Sequence, residues 1–477
     1  MDFPIYHLAF FGDRSLIAVI GALHVIINHM FAVGGIPLVV ALEWWGWRTR
    51  DSHWDDLARR IMFTFFVVAT TVGALTGVGI WLSVALINPE AMGSLLRVFF
   101  WAWFTEWLVF VTEVALILWY YLSWKSLAGE RKRSHISIGL TLCVFSWITM
   151  ALIVAILGFM MNPGTWITDH RFLSAVFNDI YIPQLAFRTT LAMVMSGCAG
   201  LFLSWMFTSA ETPMRSKAIR FVSTWILCWL PFCAIALAWY YHVVPPEMVK
   251  NLPVALGTQA FEANAQIILG ALAALAGLVV LIALLGISIP GSLPRVALLI
   301  PILAAIIIAG AFERSREFLR KPYIIYQYMY ANRFRVDDYP LLTHEGILPY
   351  STYAAVRQVT PDNQLLAGSE VFRLACATCH TVDGVNGIRA KLSALYLNAP
   401  WQVDAIKGYI EHLHDVKAYM PPFPGNEAEA GALARYLVSL QSAVPPATAD
   451  LQAPASGAGA LAKRAPAAAT PPAITGR

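Results

Sequence analysis

The chain has 477 residues, of which 58% are hydrophobic and only 13% charged, whereas soluble domains carry about a quarter charged residues. That balance excludes an ordinary soluble globular protein and points to a bilayer. A formal net charge of +4 is too small to argue for nucleic acid or another polyanionic partner, so the placement of the charges matters more than their sum.

Residues 1–14 are acidic or neutral apart from Arg14, and the apolar block that follows is too long for the core of a cleavable signal. We therefore read it as a retained first span. Apolar blocks of roughly 20 residues or more, each long enough to cross about 30 Å of hydrocarbon, recur at 15–42, 61–87, 98–123, 136–160, 181–208, 218–241, 265–288 and 294–312. All eight are predicted helices, because a backbone in lipid must satisfy its own hydrogen bonds. Arg48, Arg50, Arg59 and Arg60 follow span one, Lys125, Arg131, Lys132 and Arg133 follow span three, and Arg215, Lys217 and Arg220 follow span five. The intervening connections are poorer in Lys and Arg, so the positive-inside rule puts these three in the cytoplasm and both termini outside. Trp44, Trp45, Trp47, Trp101 and Trp103 read as interfacial anchors, and Cys143, Cys198, Cys228 and Cys233 as inert packed thiols.

Ionisable residues inside spans are costly and mark function unless they pair harmlessly. Span one holds His24 and His29, span three Glu106 and Glu113, and span five Arg188. Glu106 and Glu113, seven apart, share one helix face. Glu106, Arg188 and His24 are expected at similar depth near the outer boundary, where a Glu106–Arg188 pair is open to them. His24 and His29 lie about 140° apart around an ideal helix, too far to serve one iron together. For each the alternative is structural: a hydrogen-bonded core histidine for His24 or His29, and a buried ion network without redox work for Glu106, Glu113 and Arg188. His7, His170 and His242 are read as polar residues of the outer surface.

After the last span, residues 313–321 are rich in charge. Tyr323, Tyr326, Tyr328 and Tyr330 follow, and an irregular connection runs to 365; together these form a linker over 313–365. Residues 366–444 return to a soluble pattern, with helical runs at 369–377, 402–412 and 428–440. The tail 445–477 is rich in Ala and Pro, with too little apolar surface to offset ordering entropy, and is expected to be disordered. Within the soluble segment stands Cys376-Ala377-Thr378-Cys379-His380, a C-x-x-C-H motif. Two thiols at that spacing add to the vinyl groups of a haem, and the adjacent His reaches its iron. A disulfide or zinc pair is the bland alternative, disfavoured by the next-residue His. Met420, in Tyr419-Met420-Pro421-Pro422-Phe423, is placed as the sixth ligand, with prolines to stiffen the loop; His412 and His414 compete. Haem c attachment requires the outer side of the membrane, in agreement with the charge distribution.

The order of helix, C-x-x-C-H, middle helix, Met-Pro-Pro-Phe and final helix over 366–442 resembles class I cytochrome c, a family that packs its first helix against its last, here through Gly368, Phe372 and Ala434-Arg435-Tyr436-Leu437. Over residues 13–165, Leu23-His24, Thr76-Gly77, Glu106, Glu113 and Asn162-Pro163 resemble subunit I of the cytochrome bd-type quinol oxidases. That second resemblance implies haem sites near the outer face, with His24 an axial ligand and Glu106 a ligand or proton donor. It departs from the family in three ways. Glu106 and Glu113 are one residue closer than in that family, and the likeness fades after span four. Tyr181-Ile182-Pro183-Gln184-Leu185-Ala186-Phe187-Arg188 also has no His where the family carries a b-haem ligand. The connection 242–264 stands where the family has its quinol-binding loop, without a readable motif.

The expected fold is therefore all-α, a polytopic bundle of about eight transmembrane helices (1–312) with a C-terminal periplasmic class I cytochrome c domain, in a bacterial inner membrane. The expected cofactors are one covalent haem c and, by resemblance, haem b and a quinone. Catalytic candidates are Glu106, Glu113 and Arg188; cofactor-binding candidates are Cys376, Cys379, His380, Met420, His24 and His29, with His380, Met420 and His24 on iron. The expected function is electron transfer between the quinone pool and a periplasmic carrier, beside a second membrane subunit or larger respiratory complex, with lipid around it. A haem-poor tether for the cytochrome domain and a bd-like terminal oxidase are the rival readings, the oxidase last for want of the His.

Overall fold

A computed structural model describes residues 4–209, 211–397 and 399–442; the Ala/Pro-rich tail at 445–477 lies outside the described residues. Eight helices among them are long and apolar enough to cross a bilayer: Asp13–Thr49, Ser52–Ile87, Pro89–Leu122, Gly129–Met161, Tyr181–Phe207, Pro213–Val243, Ala265–Ser288 and Arg295–Leu319. Several are longer than their apolar blocks because capped polar turns extend them. Asn88, for example, accepts from the Ala91 amide (3.1 Å) at the head of span three.

Span five is the axis of the bundle. Two-thirds (67%) of its apolar window is buried, against 11–39% for the others. Its run Ser196-Gly197-Cys198-Ala199-Gly200 is built of small residues, which lets neighbouring backbones approach closely. Gly34 of span one touches the Ala192 carbonyl so closely that any Cβ would collide with it. Just before that contact, span one widens into a π-helical turn over Asn28–Val33, which changes the rotation of everything beyond it.

The connections after spans one, three and five gather at one end of the bundle. There Lys217 pairs with Asp51 (3.4 Å) and Arg60 donates to the Phe207 carbonyl (3.4 Å). A buried network sits beneath them. Glu43, fully shielded from solvent (0%), accepts from the Tyr120 hydroxyl (2.5 Å), faces His135 Nδ1 (2.5 Å) and pairs with Lys132 Nζ (2.6 Å), which also pairs with Asp55. Lys132, which the sequence offers as a solvated marker of the cytoplasmic side, is thus a buried cross-link between spans one and four.

At the opposite end lies the soluble domain, with helices Gln364–Ala375, Ile388–Leu395, Val403–Glu411 and Glu427–Ser442; the second of these has no counterpart in the sequence expectation. The first and last helices cross at Gly368, where a Cβ would strike the Ala432 carbonyl and approach Tyr436 Cβ to 2.7 Å. Phe372 and Tyr436 meet beside it, ring centroids 5.8 Å apart.

The joint between the two parts is more ordered than its composition suggests. The last spanning helix continues seven residues beyond 312, to Leu319. A hairpin of Tyr323–Ile325 with Met329–Tyr330 follows, then a helix at Tyr339–Glu345. The Glu429 carboxylate accepts from the amides of Ile347 and Leu348 (both 2.8 Å), which staples this connection to the final helix.

Candidate functional site

The C-x-x-C-H segment winds on as one further turn from Gln364–Ala375: the Cys376 amide bonds the Phe372 carbonyl (2.9 Å), and the amides of Cys379 and His380 bond the Cys376 carbonyl (3.0 and 2.9 Å). Both thiols are unpaired. His380 Nδ1 donates to the Asn386 carbonyl (3.1 Å), while Asn386 Nδ2 donates to the Cys379 carbonyl (2.6 Å). That bond fixes the tautomer and leaves the lone pair on Nε2, the arrangement a metal-ligating imidazole requires. Burial pushes the imidazole down to about 4, so the ring is neutral at physiological pH. Free thiols and an oriented neutral imidazole fit covalent haem attachment.

The Met420 loop is held from several sides. The Met420 amide bonds the Lys417 carbonyl (2.7 Å), the Met420 carbonyl accepts from His414 Nδ1 (2.7 Å), and Tyr339 donates its hydroxyl to the Pro422 carbonyl (3.0 Å). Among the competing ligands, His414 therefore has its Nδ1 committed to the loop itself. His412 has a side chain 72% exposed and faces Asp415. Tyr419 packs on Phe318 of the last spanning helix (5.6 Å between centroids).

The face carrying Cys379 is pressed onto the membrane bundle. The Val385 amide bonds the Phe10 carbonyl (2.7 Å), and Gly384 lies so close to that carbonyl that a Cβ would collide with it. Arg14, at the head of span one, donates through Nη1 to Cys379 Sγ (3.5 Å) and through Nη2 to Glu317 (2.7 Å). Glu317 also pairs with Arg320. Farther along the same helix Glu313 binds Arg316 (3.1 Å) and, across the bundle, Arg188 of span five (2.6 Å). Arg188, 1% exposed, extends Nη1 toward His29 Nε2 (3.4 Å). Glu313, Arg316, Glu317 and Arg320 follow i, i+3, i+4, i+7 spacing and so share one face. They form a ladder of charges from the interior of the bundle to the C-x-x-C-H motif.

This ladder corrects the sequence expectation for Arg188. Its partner is Glu313, not Glu106. Equal depth does not bring two side chains together when their helices present different faces, and the charge-rich start of the linker hid the true partner in the last turns of a span. Arg333 makes a second strut, pairing with Glu90 at the head of span three (3.4 Å) and donating to the Leu374 carbonyl beside the motif (2.7 Å).

The remaining membrane candidates have different hydrogen-bond partners. His24 Nδ1 donates to the Gly73 carbonyl (3.1 Å) near Thr76 Oγ1 (3.1 Å), and Asn28 Nδ2 approaches Nε2 (2.7 Å), so both ring nitrogens have protein partners. Its ring lies 3.0 Å from where a Cβ on Gly77 would stand. His29 instead turns inward to Arg188, so the two histidines serve different neighbours. Glu113 accepts from Thr149 of span four (3.0 Å). Glu106 borders an open depression lined by Trp81, Phe100, Trp103 and Trp107. Gln184 is fully buried one turn before Arg188, with no hydrogen-bond partner for its amide.

Residues 363–437 match the family described as Cytochrome C oxidase, cbb3-type, subunit III. No curated protein matches the chain. Among solved structures it is similar to the bd oxidase from Geobacillus thermodenitrificans, at 19% sequence identity and a TM-score of 0.46, over 52% of this chain and 60% of that one. The chain thus spans less than two-thirds of that protein. The C-terminal segment is a cytochrome c domain, which implies a covalently bound haem c and electron transfer, carried by a chain with eight helices among its described residues long and apolar enough to span a membrane.

Proposed function

We propose that this protein passes electrons between the quinone pool and a periplasmic redox partner, with haem c as the station at the membrane surface. In this reading Cys376 and Cys379 carry the haem, His380 and Met420 ligate its iron, and thioether ligation raises the potential relative to a second imidazole. The protein's share of the chemistry is orientation and electrostatics. The observation that carries the reading is the docking of the C-x-x-C-H face on the bundle through Phe10, Arg14 and Glu317. That contact turns the haem-bearing edge toward the lipid-embedded helices. Glu106 in its aromatic depression and Glu113 beside Thr149 are the carboxylates proposed to take protons from quinol, and the bundle is proposed to sit in an inner membrane with the cytochrome domain in the periplasm, beside a second membrane subunit.

The test is reduction of the c haem by a quinol analogue in the purified protein. The reading expects reduction in the wild type and its loss in Glu106→Gln; reduction at equal rate in both overturns the assignment of Glu106.

A second reading, in which the bundle is a haem-poor tether, draws support from His24, both of whose nitrogens are engaged by Gly73, Thr76 and Asn28. A pyridine haemochrome assay separates the two. Haem c alone favours the tether, whereas haem c with a b-type signal that falls in His24→Ala favours the redox bundle.

A further inference from the structure

The ladder ends in an imbalance of charge around Cys379. Arg14 reaches the sulfur and shares Glu317 with Arg320. Lys321, the next residue, is 6% exposed, and its ammonium has no hydrogen-bond partner. Burial, with Arg14 nearby, pushes the Lys321 amine well below the usual lysine range, as an ammonium left without a hydrogen bond requires. Two guanidinium groups, Arg14 and Arg320, thus stand against one carboxylate, Glu317, in a seam closed by Phe10, Gly384 and Val385. The segment is anchored there, because the Lys321 carbonyl accepts from Asn251 Nδ2 (2.8 Å).

Resting on the reading of Cys376 and Cys379 as haem-bearing, we propose that Arg14 and Arg320 are positioning charges that hold the midpoint potential of the c haem high, with Glu317 as the opposing charge. The chemistry is a one-electron uptake from the quinol side with no bond made or broken. Adding an electron lowers the charge at the iron by one, so a surplus of nearby positive charge favours the reduced state, an effect strengthened where water is excluded. The cluster belongs to the membrane bundle and to the end of its last helix, so the potential of the haem is set by docking as well as by its axial ligands.

The test is a mediated spectroelectrochemical titration of the c-haem band in the full-length purified protein. Arg14→Gln removes the charge at the sulfur, and Arg320→Gln removes the one behind it. Each is expected to shift the reduction equilibrium about tenfold toward the oxidised form, a fall of about 59 mV for one electron. Arg14→Lys keeps the charge and is expected to recover most of the shift, while Glu317→Gln is expected to move the potential upward. A rise in one set and a fall in the other cannot come from a loosened fold, which would move both the same way. Unshifted potentials in Arg14→Gln and Arg320→Gln with the c-haem spectrum intact overturn the inference and leave the functional reading standing. Absence of covalent haem from the wild type overturns both.

Discussion

Replacing Glu313 with Gln removes the carboxylate that sits between two buried guanidinium groups, Arg188 at 2.6 Å and Arg316 at 3.1 Å. Stripping one partner from a buried ion pair costs about 3–5 kcal/mol, because the other charge is left uncompensated. With about 2.1 cal/mol/K of unfolding entropy per residue, the 477 residues carry about 1 kcal/mol/K. Glu313→Gln is therefore expected to lower Tm by about 3–5 °C. Arg188→Met should cost less, since Glu313 keeps Arg316. The assay is thermal unfolding of the detergent-solubilised protein, run as double-mutant cycles. A coupling of about 0.5–3 kcal/mol is expected between Arg188 and Glu313, and one near zero between Arg188 and Glu106. A larger loss in Arg188→Met than in Glu313→Gln, or strong coupling of Arg188 to Glu106, would refute the ladder.

Three further outcomes follow from the geometry. Met420→His should lower the c-haem potential by on the order of 0.1 V, within the roughly 0.8 V that axial ligands span; an unchanged potential in a redox titration means that Met420 is not the sixth ligand. Gly368→Val drives a side chain into the Ala432 carbonyl and Tyr436, an overpacking worth about 1–3 kcal/mol, and should make the cytochrome domain the first part to yield to limited proteolysis, with the membrane helices still protected. Glu43→Leu strands Lys132, His135 and Tyr120 and should destabilise the bundle by about 3–5 kcal/mol without displacing the c-haem band; a neutral Tm would show that those groups find other partners.

The eight spans were legible in the sequence because each depends on a local property, a long apolar run, and the haem motif because its chemistry fits in five consecutive residues. Gly368 and Phe372 were expected at the helix crossing through the resemblance to class I cytochrome c, and the crossing lies there. The charge ladder was not. Residues 313–321 read as the start of a linker, since a cluster of charges after an apolar run is ordinarily solvated. Only the i, i+3, i+4, i+7 spacing of Glu313, Arg316, Glu317 and Arg320 signalled a shared face, and nothing local says that the face is buried. The partner of Arg188 depends on helix rotation, which the π-helical turn at Asn28–Val33 and the packing of span five determine together. Lys132 and Glu43 escaped for the complementary reason, lying at the ends of separate spans that meet only when the spans assemble.

Covalent haem at Cys376 and Cys379 is measured most directly by intact mass spectrometry of the purified chain. The prediction is a mass greater than that of the polypeptide by one haem, surviving denaturation and lost when both cysteines are replaced by Ala. A wild-type mass equal to that of the bare chain would contradict it.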